Sequence, residues 1–283
     1  MDVLDERILD YDGVRFFRLI SPSIKLPLDK LYPRSINKEF FPDAQTEIPV
    51  SAWLVEYEDK LIMIDAGINR QGEDQLPVSH GAVPTFFDQM ELFGKKPEDV
   101  SKVILTHLHL DHEGWNTLFE DGEWKPAFPE VTYYMARAEI SYLLSEKGKA
   151  EGGDRIFTNS VLPLFLDNQV TVISAPRTKI TKGIEYQSYP GHSPGHSVVW
   201  FSTPNAEICF CGDIFHSARQ ITQPALSSSF CRNTVQALSS RKTFLKNAAA
   251  RGALVCTAHL SSPSAGFIVN SGAGWAWKPL QSA

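Results

Sequence analysis

The chain has 283 residues, 43% of them hydrophobic and 21% charged, with a formal net charge of −6. That length and apolar content suffice for a sizeable core, as one large domain or two small ones, and the acidic balance counts against nucleic acid, whose phosphates are normally met by a basic face. No run approaches the ~20 apolar residues of a membrane span, and Met1 is followed by Asp2, Asp5 and Glu6 rather than by the basic start of a secretory leader, so the expectation is a cytoplasmic protein with no membrane partner.

In chain order, β-branched and aromatic runs bounded by turn residues predict strands at 14–20, 52–57 and 61–65. Between the first two lies the proline-rich stretch 21–49, long for a linker and carrying Tyr32, Phe40 and Phe41. Loops of that length inside a compact domain are often lids; these aromatics are expected to cover an apolar substrate, with a homodimer contact as the competing use. A further loop at 68–84 leads into a helix at 84–93, with Pro84 in its first turn and Phe86, Phe87, Met90 and Phe93 at helical spacing. Strands are also predicted at 103–106, 131–135 and 170–174, and helices at 137–144 and 234–250.

The strand at 103–106 runs directly into His107-Leu108-His109-Leu110-Asp111-His112, three imidazoles and a carboxylate in six residues. Such nitrogen and oxygen donors suit zinc and similar divalent ions. If the segment is extended, residues two apart share a face, so His107, His109 and Asp111 would project together while Leu108 and Leu110 turn into apolar packing. A polar loop with clustered histidines is the bland alternative, and it weakens because further donors follow. Pro190-Gly191-His192-Ser193-Pro194-Gly195-His196 is a turn with two histidines, and the apolar runs ending in Cys211-Gly212-Asp213 and Cys256-Thr257-Ala258-His259 each deliver a donor where a strand runs out into a loop. Strand-end loops are where α/β enzymes keep reactive groups. The four cysteines, Cys209, Cys211, Cys231 and Cys256, lack zinc-ribbon spacing and read as reduced, mostly buried thiols.

Taken together, these stretches resemble the metallo-β-lactamase fold superfamily of hydrolases. Asp65-Ala66-Gly67 stands where the family has its first motif, the run from His107 to His112 its second, Pro190 to His196 its third, Asp213 its fourth and His259 its fifth, over roughly residues 50–260. The resemblance implies an α/β fold, a four-layer αββα sandwich with metals at the lip between its sheets, formed as one domain over 1–283. It implies two divalent metal ions, zinc first, with manganese, cobalt or iron as alternatives. One ion would be held by His107, His109 and His192, the other by Asp111, His112 and His259, with Asp213 bridging. His196 and Asp65 would then support the ligands from behind.

Two metals about 3.5 to 4 Å apart make hydroxide available near neutrality, and a site of net positive charge favours substrates that become anionic on oxygen. The expected catalytic residues are Asp111, which would also move a proton toward the leaving group, Asp213 and His216. His216, three residues past Asp213 where some lactonases place a tyrosine, is the first candidate for substrate contact; a histidine packed under its loop is the alternative. Trp115 either walls the pocket or opens the apolar face of a following helix. Class B1 and B2 β-lactamases carry cysteine at the Asp213 position, and flavodiiron relatives replace His109 by glutamate, so neither role is expected. The tail from His259 through Trp275 and Trp277 resembles the branch containing methyl parathion hydrolase.

The reading that results is hydrolysis of a small ester-like molecule, a lactone such as an acyl homoserine lactone first and an aryl ester or phosphotriester second. The alternatives are a glutathione-thioester hydrolase like glyoxalase II, its iron-dependent persulfide dioxygenase cousin, and a noncatalytic binding protein with a vestigial site.

Overall fold

The computed structural model describes residues 7–33, 45–69, 84–272 and 274–280. The chain divides into two compact units, each drawn from several stretches: Met1–Pro22, Val50–Gln75 and Gly81–Ala175 in the first, Ser23–Pro49, Leu76–His80 and Pro176–Ala283 in the second. The single domain expected from sequence thus contains two units, and strands β2 (Val14–Pro27) and β3 (Gln45–Tyr57) each run from one into the other.

The first unit is organised on a seven-stranded sheet, in which β1 (Ile8–Tyr11), β2, β3, β4 (Lys60–Ile64), β5 (Val100–Ile104), β8 (Thr132–Ala136) and β9 (Val170–Ile173) lie side by side; β6 (Thr117–Glu120) and β7 (Glu123–Pro126) form a separate hairpin. Asp12-Gly13 turns β1 into β2 with both residues at positive φ, 50° and 77°, and Glu58-Asp59 does the same between β3 and β4 at 46° and 57°. Two-residue loops of this handedness match the twist of the strands they join. From β4 onward the pairing is parallel, so the chain must cross over between strands. The helices Phe86–Leu92, Arg137–Leu143 and Leu162–Leu166 occur in those crossovers.

Their buried side chains, including Phe86, Met90, Leu143 and Leu164, form one core with Phe17, Leu19, Leu54, Met63, Val103 and Met135 of the strands. Each fully buried side chain of this kind contributes roughly 1.5–3 kcal/mol. The helix Phe86–Leu92 begins at Thr85, whose hydroxyl accepts from the Asp88 amide while the Asp88 carboxylate accepts from the Thr85 amide. Such a reciprocal cap satisfies two amides that have no partner within the helix.

The second unit holds the other sheet, whose strands follow sequence order: β10 (Arg177–Thr181), β11 (Ile184–Ser188), β12 (Ser197–Ser202), β13 (Glu207–Phe210), β14 (Leu254–Cys256), β15 (Ala265–Asn270) and β16 (Trp275–Pro279). All neighbours are antiparallel except β13 and β14. The long helix Thr234–Arg251 occurs in that crossover, and it buries Phe244, Leu245 and Ala248 against Val198, Trp200, Cys209 and Val255.

Three sequence readings change in detail. The stretch read as a loop at 21–49 is strand at both ends, since β2 continues to Pro27 and β3 begins at Gln45. The run after β5 is not extended throughout: His109 is, at φ −94° and ψ 155°, but Leu110–Glu113 is a helical turn. Asp111 therefore comes to its neighbours by helical rise rather than by strand alternation. No helix follows Trp115 directly beyond a short 3-10 turn, yet its ring stacks on Phe86 at 5.8 Å and meets Phe87 edge-on at 5.4 Å. Its packing use is the one seen, inside the core of the first unit.

Gly114 shows how closely the segment after the histidine run is seated: a Cβ there would fall 2.3 Å from the Asn69 amide nitrogen and 2.6 Å from the Gly67 carbonyl oxygen. Both obstacles are backbone. Replacing Gly114 by alanine is expected to destabilise the protein by about 1–3 kcal/mol, read as a lower urea midpoint.

Candidate metal-binding site

Parallel pairing decides where the donors of each unit end up. Because β4 and β5 are parallel neighbours, Asp65 and the run that starts at Thr106 leave the sheet at the same edge; β13 and β14 likewise bring Asp213 and His259 out together. The carboxyl ends of parallel strands are the usual place for ligands in open α/β sheets.

In the first unit Asp65, at φ 57°, holds the beginning of the run from behind. Its carboxylate accepts from the Thr106 amide at 2.7 Å, from the Thr106 hydroxyl at 2.8 and 3.0 Å, and from His112 Nδ1 at 2.8 Å. The segment behind Asp65 is laced to the run by backbone: the Ala66 amide donates to the His112 carbonyl, the Gly114 amide to the Gly67 carbonyl and the Trp115 amide to the Ala66 carbonyl. Buried Glu139 adds an acceptor for the Leu108 amide at 3.0 Å.

These contacts set the tautomers. A threonine hydroxyl has one hydrogen, and that of Thr106 goes to Asp65, which only accepts; the same oxygen, 3.1 Å from His107 Nδ1, therefore accepts the Nδ1 hydrogen. His107 is left with a lone pair on Nε2, 3.0 Å from His109 Nδ1. His112 gives its Nδ1 hydrogen to Asp65 and also keeps its lone pair on Nε2.

The second unit repeats the device. His259 Nδ1 donates to the Pro49 carbonyl at 2.7 Å, so the nitrogen facing Asp213 Oδ1 at 2.9 Å is again Nε2. His192 Nε2 lies 3.2 Å from the other carboxylate oxygen, Oδ2, while its Nδ1 faces the Cys231 sulfur at 3.9 Å. A lone pair and a carboxylate oxygen at 2.9 Å repel unless a proton or a metal cation stands between them. With outer nitrogens fixed in this way the donor set fits a borderline divalent ion.

His196 is built differently. Its Nδ1 donates to the Tyr189 carbonyl at 3.1 Å and its Nε2 accepts from the Asp213 amide at 2.9 Å, so neither nitrogen has a lone pair to offer. Of the two histidines of the turn, His192 keeps Nε2 toward the Asp213 carboxylate, while His196 has both ring nitrogens engaged beneath Asp213. His216 is buried and stacked on His259 at 5.4 Å and 10°, with Nε2 3.2 Å from Asp213 Oδ2. Burial lowers its pKa below the ordinary histidine value against the opposing pull of Asp213.

Among the other residues singled out from sequence, Tyr32 is buried, with its hydroxyl 2.8 Å from the Ser217 hydroxyl beside His216. Phe40 and Phe41 lie outside the described residues. Thr106 and Glu139 escaped the sequence reading because neither residue type announces a role. For Thr106 the available signal was its position between a strand and the first histidine.

The chain belongs to the metallo-beta-lactamase superfamily, whose profile matches residues 46–259, and the metallo-β-lactamase fold expected from the motifs is the fold it has. An N-acyl homoserine lactonase from a Bacillus species is 25% identical over 181 residues, which are 60% of this chain and 64% of that protein, just under two thirds of its length. The N-acyl homoserine lactonase AttM from Rhizobium johnstonii is 26% identical over 87% of this chain and 93% of its own. Among solved structures, the hydrolase AbOPH superposes with a TM-score of 0.82 at 22% identity over 98% of this chain and 97% of its own. The dizinc quorum-quenching lactonase AidC, solved with a product, superposes at 0.80 and 21% identity over the same shares.

Replacing His196 by alanine would leave the Tyr189 carbonyl and the Asp213 amide without their bonds. The expected loss is about 2–6 kcal/mol, since each buried polar group left unsatisfied costs roughly 1–3 kcal/mol. Urea unfolding of the metal-free variant measures it apart from any change in metal binding.

Proposed function

We propose that this protein is a dinuclear metal-dependent hydrolase that opens small lactones, with N-acyl homoserine lactones as the first substrate class and aryl esters or phosphotriesters as the second. The observation that carries this reading is the division of labour on Asp213, whose Oδ1 faces His259 and whose Oδ2 faces His192. Each oxygen of this carboxylate could thus serve a different cation. The side chains that would hold one ion are His107, His109, His192 and Asp213, and those that would hold the other are Asp111, His112 and His259, with Asp213 proposed to serve both. Zinc is the preferred metal, from the donor chemistry and from the dizinc lactonase whose fold the chain shares.

When bound, two such ions would lower the pKa of a shared water and polarise the substrate carbonyl. The residues of the chain do the rest. Asp111, a buried carboxylate 3.6 Å from His112 Nε2, accepts the proton released on attack and passes it to the leaving alkoxide of the opened ring. His216, kept neutral by burial, offers an imidazole N–H to the substrate oxygen. Tyr32 contributes to the apolar wall for the acyl chain or, alternatively, to a homodimer contact. Replacing Tyr32 by alanine should raise KM more than it lowers kcat if the wall reading holds; unchanged kinetics would remove it. No helix among the described residues is long and apolar enough to cross a membrane, and a cytoplasmic site of action remains part of the proposal.

The deciding experiment combines metal analysis with a substrate panel of acyl homoserine lactones, aryl esters, phosphotriesters and glutathione thioesters. Two zinc-like ions per chain with lactones turned over fastest is the expected result. One iron per chain with oxygen uptake on a persulfide would replace the proposal by a dioxygenase, fastest turnover of glutathione thioesters by a thioesterase, and absence of bound metal would end it.

Two variants refine it. Asp213→Ala should abolish most activity in a folded protein. Asp65→Asn exchanges an acceptor-only group for an amide behind His112 and is expected to weaken metal binding by about 10–100-fold, measured by competition with a chromophoric chelator.

A further inference from the structure

The loop that follows β13 presents Asp213 and His216 and then wanders to Asn233 with a single helical turn, Arg219–Thr222, on the way. Its own backbone bonds are mostly local turns, such as Gln223 to Arg219 and Leu226 to Gln223, which do not tie the part beside Asp213 to the return segment. Two fully buried polar side chains do so. Arg241, 1% exposed and in the middle of the long helix Thr234–Arg251, donates from Nε to the Ile214 carbonyl at 2.8 Å and from Nη1 to the carbonyls of Pro224 at 2.8 Å and Leu226 at 3.1 Å. Gln220, 0% exposed, accepts from the His216 amide at 2.6 Å and donates to the same Leu226 carbonyl at 2.9 Å. The Leu226 oxygen thus joins both side chains in one network.

The Cys231 side chain lies within electrostatic reach of the same guanidinium, and its sulfur faces His192 Nδ1 at 3.9 Å. Placing a guanidinium among carbonyls at this depth is costly, several kcal/mol per buried ion before compensation, so its bonds are what keep it there. Its planar fork reaches several acceptors at fixed angles, which the single ammonium of lysine does not reproduce. The helix that carries it is the rigid element of the unit, and a site held from a rigid element is better defined than one left to its loop.

We propose that Arg241 is a positioning residue for the metal site, a buried fork that fixes the carbonyl next to Asp213, the return segment bonded through Gln220 to His216, and the thiol behind His192. It touches no donor atom; it acts through the backbone and Cys231. The inference rests on Asp213 and His192 being metal ligands, and the experiment is arranged so that this reading and the positioning role fail separately.

Arg241→Lys and Gln220→Met are each compared with the full wild-type chain by hydrogen exchange on the metal-free protein and by zinc competition with a chromophoric chelator. Arg241→Lys should raise amide exchange at 213–216 and 226 while the strands of the second sheet stay protected, and should lower zinc affinity by about 10-fold or more, as loss of outer support typically does. Gln220→Met removes the bonds to the His216 amide and to the Leu226 carbonyl while leaving the Arg241 fork in place, and should raise exchange at residue 216. If Arg241→Lys lowers the urea midpoint but leaves exchange at 213–216 and zinc affinity at wild-type values, the residue is merely structural and the proposal is overturned. If Arg241→Lys does not fold, Gln220→Met decides: unchanged protection of the His216 amide overturns the network. A wild-type chain that binds no zinc sinks the metal reading, and the exchange data still decide whether Arg241 orders the loop.

Discussion

His107, His112 and His259 offer a lone pair on Nε2 because the other ring nitrogen is already committed. Thr106 and Asp65 commit His107 and His112, the Pro49 carbonyl commits His259, and the weak sulfur of Cys231 faces His192 Nδ1. Without these outer bonds an imidazole rotates and chooses its tautomer freely, and two donors such as His259 and Asp213 have no reason to meet at 2.9 Å. The geometry of the candidate centre is thus decided one bond behind the atoms that would touch a metal.

The fold supplies those outer bonds through its parallel strand pairs. One pair brings Asp65 beside the histidine run, the other brings Asp213 beside His259, and short backbone ladders then lock the loops to each other. The aliphatic and aromatic side chains beneath, such as Met63 and Val103 in one unit and Val255 and Phe244 in the other, fix the strands that carry the donors. Packing and chemistry are consecutive along the same strands, with the apolar stretch ending where the polar one begins.

Much of this was legible in the sequence because strand, turn and donor follow one another locally. The strand before the histidines, read at 103–106 and found at Val100–Ile104, the helices read at 84–93 and 234–250 and found at Phe86–Leu92 and Thr234–Arg251, and the donor types at positions 107–112, 213 and 259 could be read from neighbours within a few residues. The helical turn at Leu110–Glu113 could not, since leucine, aspartate, histidine and glutamate suit a strand end and a helix start alike. The different uses of His192 and His196 came from the family resemblance and not from the residues themselves, since they depend on Cys231, Tyr189 and Asp213, distant in sequence or reached through backbone atoms. Arg241 is the extreme case: a charged residue in an otherwise ordinary amphipathic helix, whose three acceptors are carbonyls that every residue possesses.

Support by main chain and support by side chain differ in how they respond to genetic drift. His259 leans on the carbonyl oxygen of position 49, an atom that survives every codon change there provided the strand keeps its path. His112 leans on a carboxylate that one nucleotide substitution can erase. In a randomised library of this protein, tolerated changes should therefore accumulate behind one imidazole and be purged behind the other, and the two halves of the centre would diverge at unequal speeds.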